Sequence, residues 1–199
     1  MTKIKMCGMM YTADVITAQN LQVDYVGFIL SQGFRRSLTY DTFADLQSLV
    51  TDTSIKKVGV FVNESIEYIS RYLSMIDMIQ LHGKEDNDFI KALNNYTDKK
   101  KIKAFKIRTE YDITAAQNSL ADHILLDSGE GSGKLFNHDL LNSIEREYFL
   151  AGGLSPENIE EVLKKLSPYA VDVSSGIETN GRKDTDKMKA FANAVRRIT

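Results

Sequence analysis

A single cysteine, Cys7, closes a short apolar run and is followed by Gly8. A thiol in that place reads in two ways. It can be a small buried hydrophobe, or a base whose pKa is drawn toward neutrality by positive charge or backbone donors. Lys5 lies two residues back, so on an extended strand it shares the face of Cys7. From there it could hold a thiolate or pair with an inward acid. Asp127 ends another apolar run, Ile124-Leu125-Leu126, and precedes the glycine-rich stretch Ser128–Lys134. It reads either as a cap for the next segment or as a carboxyl at an apolar mouth, with a raised pKa suited to a general acid. Gln80 and His82 mark the end of a third run, with His82 either a satisfied polar residue or part of a site.

Two further runs end in Gly152-Gly153 and in Ser174-Ser175-Gly176. Neighbouring Gly- and Ser-rich loops ahead of helical segments present bare N–H groups and positive helix ends, the chemistry that holds a phosphate dianion. In an eightfold (β/α) barrel such a site is usually built by the loops after strands seven and eight. Arg35 and Arg36 follow the second apolar run and could grip a carboxylate at the same mouth. The stretch at 128–134 lacks the spacing of a nucleotide P-loop and reads as a lid or anion-binding loop.

These residues need elements to carry them. Short β-rich runs are expected at 3–7, 25–30, 57–62, 78–82, 103–107, 123–127, 148–151 and 170–174. Helices are expected at 12–21, 42–49, 65–75, 87–95, 112–120, 138–144, 156–166 and 184–197. Asn63 is read as the cap of the third helix, Ser155-Pro156-Glu157 as the start of the seventh, and Asp184 as the start of the last. Strict alternation of this kind argues for α/β with right-handed crossovers, a doubly wound sheet being the rival. Eight such units in 199 residues predict one (β/α)8 TIM barrel domain with short loops, spanning 1–199. All the candidate residues then fall at strand C-terminal ends, where barrel chemistry sits.

Composition narrows the partners. With 25 Lys and Arg against 27 Asp and Glu, the net charge of −2 attracts neither nucleic acid nor anionic membrane. The lysines at 99–101 read as solvated surface. One cysteine allows no internal disulfide, and no apolar segment approaches bilayer length, so a soluble cytoplasmic protein is expected. No histidine cluster, His123 and His138 included, has metal-ligand spacing, so no metal is expected.

The ordered set of motifs resembles the phosphoribosylanthranilate isomerase family. It comprises Lys5-Met6-Cys7-Gly8, Val58-Gly59-Val60-Phe61-Val62-Asn63, Ile79-Gln80-Leu81-His82-Gly83 and Leu125-Leu126-Asp127. It continues through Gly131-Ser132-Gly133-Lys134 with Phe136, Ala151-Gly152-Gly153-Leu154, the run from Asp172 to Glu178, and Gly181-Arg182-Lys183-Asp184. The resemblance implies an Amadori rearrangement in tryptophan biosynthesis without cofactor or metal. Asp127 would be its general acid and Cys7 its general base. Arg36 would bind the anthranilate carboxylate, being favoured over Arg35 by its distance from Gly27-Phe28. Gln80 and His82 would line the mouth, and Gly152, Gly153, Ser174, Ser175 and Gly176 would take the phosphate. The oligomeric state is left open. Two other readings stand beside this one: another phosphosugar isomerase, and a non-catalytic phospholigand-binding barrel.

Overall fold

A computed structural model of the chain describes residues 1–127, 141 and 144–198. The expected lid at 128–134, His138 and most of the expected helix at 138–144 lie outside the described residues. Eight parallel strands close into a barrel in sequential order: β1 (Lys3–Cys7), β2 (Tyr25–Ile29), β3 (Lys56–Phe61), β4 (Met78–Leu81), β5 (Lys100–Lys106), β6 (His123–Asp127), β7 (Tyr148–Ala151) and β8 (Ala170–Val173). The described helices between and after them are α1 (Thr12–Asn20), α2 (Tyr40–Ser48), α3 (Ile66–Ser70), α4 (Asn87–Asn94), α5 (Glu110–Gln117), α6 (Ile159–Leu163) and α7 (Thr185–Ile198).

The strands are apolar on both faces because both faces are covered. Alternation sorts their side chains. Tyr25, Val58, Met78, Ile102, Ala104, Leu125, Phe149, Ala151 and Ala170 form one buried cluster inside the barrel. Residues of the other parity, such as Phe28, Ile79, Ile124, Leu126, Leu150 and Val171, join the larger cluster with helix residues such as Phe43, Ile90 and Phe191.

The barrel floor carries a repeated device. Asp24, Asp77 and Asp122 each stand one residue before an even-numbered strand. Their carboxylates accept from the backbone N–H of Ile4, Lys57 and Lys101, all at 2.8 Å. Each acceptor thereby satisfies the second residue of the preceding odd-numbered strand, whose donor would otherwise lack a partner.

Four local expectations are corrected. The lysine run is not simply solvated: β5 starts at Lys100, three residues early, and Lys101 is buried with its ammonium on the Thr97 carbonyl at 2.6 Å. Lys100 pairs with Asp122. Asn63 does not cap α3; it takes a left-handed φ of 55°, and Ser65 caps instead by accepting from Tyr68 N–H. The seventh helix is shorter than expected, because Asn158 winds the preceding turn tightly, bonding Ser155 N–H and the Gly153 carbonyl. After β8 a short 3₁₀ turn (Ser175–Ile177) and a hairpin of β9 (Glu178–Thr179) and β10 (Arg182–Lys183) come before the last helix. Asn180 and Gly181, with φ of 51° and 78°, make its two-residue turn. Asp184 does start α7, its carboxylate accepting from the N–H groups of Asp186 and Lys187.

Candidate active site

Inward-pointing residues at the upper ends of the strands enclose a cavity of about 390 Å³. Cys7, Gln80, His82, Asp127, Gly152, Gly153, Ser174, Ser175 and Arg36 all line it. Period-two alternation accounts for most of this: Cys7, Gln80 and Asp127 share the parity of the residues filling the barrel interior below them.

The thiol sits above a buried ion pair. Lys5 Nζ donates to Asp172 Oδ2 at 2.8 Å, with both side chains almost wholly buried. Register explains the meeting, since Lys5 on β1 stands directly opposite Asp172 on β8. Of the two roles left open for it, Lys5 takes the pairing with an inward acid. Burial pushes the Cys7 thiol above its ordinary value, and the Lys5 and Lys183 ammonium groups pull it part of the way back. The neighbouring carboxylate opposes them. The other oxygen of Asp172, Oδ1, is buried with no hydrogen-bond partner among the described residues, as is Gln80 Oε1.

On the far rim the Gln80 amide lies 2.9 Å from His82 Nδ1. With the amide nitrogen as donor, Nδ1 accepts and the imidazole proton sits on Nε2, which faces Asp127 Oδ2 at 3.8 Å. Burial holds the imidazole below its ordinary pKa despite the carboxylate nearby, so the ring stays neutral near pH 7. The other described histidine, His123, is far from this rim and stacks on Tyr169 at the barrel floor, with ring centroids 5.5 Å apart.

The two arginines separate clearly. Arg36 lies across Gly8, whose φ of +77° and missing Cβ make room for the side chain. Its Nε and Nη2 donate to Glu178 at 2.6 and 3.2 Å. Arg35 points outward: it is half exposed, bonds Glu178 and the Gly181 carbonyl, and does not line the cavity. Lys183 also reaches Glu178, at 3.0 Å. Burial alone would raise the Glu178 pKa, but the hydrogen bonds from Arg36 and Arg35 and the Lys183 charge hold it at about 2.

Gly152 and Gly153 adopt φ of 96° and 62°, conformations that favour glycine. Gly176 acts differently from the other cradle residues. It does not line the cavity, and a Cβ there would fall 1.9 Å from the Leu154 carbonyl oxygen. Its bareness lets the loop after β8 lie directly against the loop after β7. Ser174 Oγ donates to the Cys7 carbonyl at 3.0 Å, tying that loop to the end of β1.

A family model for N-(5'-phosphoribosyl)anthranilate (PRA) isomerase matches residues 4–194. The chain belongs to this family. The N-(5'-phosphoribosyl)anthranilate isomerase of Endomicrobium trichonymphae is 41% identical over 205 residues, all of both chains. That of Caldanaerobacter subterraneus subsp. tengcongensis is 38% identical, again over the whole of both. Among solved structures, phosphoribosyl anthranilate isomerase from Thermotoga maritima superposes with a TM-score of 0.90 at 31% identity, covering 99% of this chain and 100% of that one. A phosphoribosyl anthranilate isomerase in complex with reduced 1-(o-carboxyphenylamino)-1-deoxyribulose 5-phosphate gives a TM-score of 0.88 at 30% identity, with the same coverage.

In this member of the phosphoribosylanthranilate isomerase family, four residues at or around the cavity had no role assigned from the sequence: Asp172, Glu178 and Lys183, which stand in its motifs, and Phe34; Asp172 and Phe34 line the cavity. Asp172 carried a signal, an acid in an apolar strand with the parity of Ala170 and Ser174. Glu178 and Lys183 were within reach of the Asn180-Gly181 hairpin signal, which brings them opposite each other. Phe34 carried none. No helix among the described residues is long and apolar enough to cross a membrane.

Proposed function

We propose that this chain is an isomerase converting N-(5-phosphoribosyl)anthranilate into 1-(o-carboxyphenylamino)-1-deoxyribulose 5-phosphate, with Asp127 as general acid and Cys7 as general base. What carries the reading is one cavity lined by both groups, an arginine and two Gly/Ser loops, in a chain of this family throughout. Asp127, as general acid, delivers a proton to the furanose ring oxygen as the C1′–O bond breaks, and the anilino nitrogen lone pair forms the C=N⁺ bond. The iminium acidifies C2′–H. Cys7 thiolate takes that proton, and the electron pair becomes the C1′=C2′ bond of an enolamine. Loss of the C2′ hydroxyl proton and protonation at C1′ give the ketone.

Burial works against the thiolate form of Cys7. Lys5 is the resident positive charge that favours the thiolate, and the iminium adds a second while it lasts. Arg36 holds the anthranilate carboxylate, and the Gly152-Gly153 and Ser174-Ser175 loops hold the phosphate, with Gly176 setting their spacing. Fixing both ends keeps the reacting carbons between acid and base. Gln80 and His82 shape the polar rim, and neutral His82 with its Nε2 proton steadies the carboxylate that Asp127 becomes. Tryptophan biosynthesis is the setting, in the cytoplasm, which suits a chain whose one cysteine must remain a thiol.

The test is loss of anthranilate fluorescence with substrate generated in situ. Wild type should turn over, and Cys7→Ala and Asp127→Asn should each fall about 10²–10⁴-fold in kcat while still binding phosphate. A folded wild-type protein without turnover would sink the reading.

A further inference from the structure

Phe34 is a large apolar residue left 46% exposed, yet it lines the same cavity as Cys7 and Arg36. What sets it apart from the chain's other exposed apolar residues is that place on the cavity wall, where an apolar group brought in by a ligand can cover the ring. The loop that carries it is not slack. Gln32 Nε2 donates to the Leu38 carbonyl at 2.9 Å, and Ser37 Oγ donates to the Ser31 carbonyl at 2.6 Å. Phe34 N–H donates to Ser37 Oγ at 2.9 Å, and its carbonyl accepts from Ser37 N–H at 3.0 Å. Glu178 then straps the loop to the hairpin through Arg35 and Arg36. The ring is thus held at the mouth by a backbone bonded on both sides of it.

We infer that Phe34 is a specificity-determining wall for the aromatic half of the substrate. The inference rests on the isomerase reading and names the contact that selects an aryl amine at that site. Arg36 stands two residues along the same loop, and Glu178 takes its Nε–H and one Nη2–H, so the two N–H groups of Nη1 and the second of Nη2 can meet an anion. A carboxylate held there belongs to a benzoate ring whose apolar face needs a partner nearby, and among the described residues Phe34 brings a phenyl ring to the wall of that cavity. Offset or edge-on contact between the two rings would cover the exposed half of Phe34. An aliphatic amine in the same position would leave it wet.

The contact forms with substrate already bound, so it acts on binding more than on the chemical step. Phe34→Ala should raise KM, and weaken binding of reduced 1-(o-carboxyphenylamino)-1-deoxyribulose 5-phosphate, by about tenfold, the scale of one aromatic contact with its buried area. The value of kcat should change less than threefold. Phe34→Tyr should restore KM to near the wild-type value. Binding of inorganic phosphate, which has no ring, should be the same in all three proteins. An active wild type with Phe34→Ala within twofold of it in KM and analogue binding would overturn the inference alone. Equal loss of phosphate and analogue binding would also overturn it, by showing a collapsed mouth. A wild type that neither turns over nor binds the analogue would overturn the isomerase reading and this inference with it.

Discussion

Gly176 offers a test of how closely the loops after β7 and β8 must approach. Replacing it by alanine puts a Cβ 1.9 Å from the Leu154 carbonyl oxygen, with the Leu154 carbon at 2.9 Å and Ser155 Cα at 3.1 Å. Ordinary contact begins at 3.4 Å, so the loops after β7 and β8 must separate by about 1.5 Å. Backbone lies on both sides, so no side-chain rotation can relieve the clash. Gly152 and Gly153 sit on one loop and Ser174 and Ser175 on the other, so the separation opens the cradle itself. Misplacement of about 1 Å can cost about 100-fold, and that is the loss expected in kcat/KM for Gly176→Ala. It should fall mainly on KM, because phosphate contacts are made in ground state and transition state alike. Overpacking should also lower stability by about 1–3 kcal/mol. Steady-state fluorescence kinetics, with inorganic phosphate binding as the second readout, would check this. A folded Gly176→Ala protein with kcat/KM and phosphate affinity within threefold of wild type would refute the claim that the loops form one rigid cradle.

Two further predictions concern the frame around the site. Glu178 is held at about 2 in the folded state against an ordinary 4.5, so its contribution is fully present above about pH 4.5 and is lost as pH falls toward 2; Glu178→Gln should flatten the acid limb of stability in that window, read by urea midpoints from pH 5 to 2, and an unchanged slope would contradict the assignment. Asp24→Ala removes the charged acceptor of Ile4 N–H at the barrel floor. It should cost about 1.5–3 kcal/mol in denaturation while leaving kcat unchanged, and a fall in kcat instead would mean that floor and mouth are coupled.

Much of the architecture was legible because it is local. Apolar runs of strand length with interleaved amphipathic segments imply eight β/α units, and the count alone puts Cys7, Gln80 and Asp127 at strand ends on one side of the barrel. The Gly-Gly and Ser-Ser-Gly sequences announce tight backbone loops by residue type, before any coordinates. Boundaries were less legible where side chains compete with the backbone. Asn158 and Ser155 shorten α6, and a buried Lys101 extends β5 into what reads as a charged surface run.

Residue pattern along the chain settles the order of elements and the chemical types gathered at one end of the barrel; in strands apolar on both faces, which face turns inward is settled only by closure. Tertiary structure decided the partners. Lys5 and Asp172 are separated by 167 positions and meet only because closure places β1 against β8 in one register. Arg35 and Arg36 have the same side chain at adjacent positions and both reach Glu178 on the returning hairpin, yet Arg36 lies across bare Gly8 and lines the cavity while Arg35 stays half in water. Gly176 reads as a ligand-binding glycine, yet its need for bareness comes from a carbonyl of another loop. Strand pattern is a property of neighbours in the chain. Ion pairs, close approaches and cavity walls depend on how distant segments are brought together, and that is set when the barrel closes.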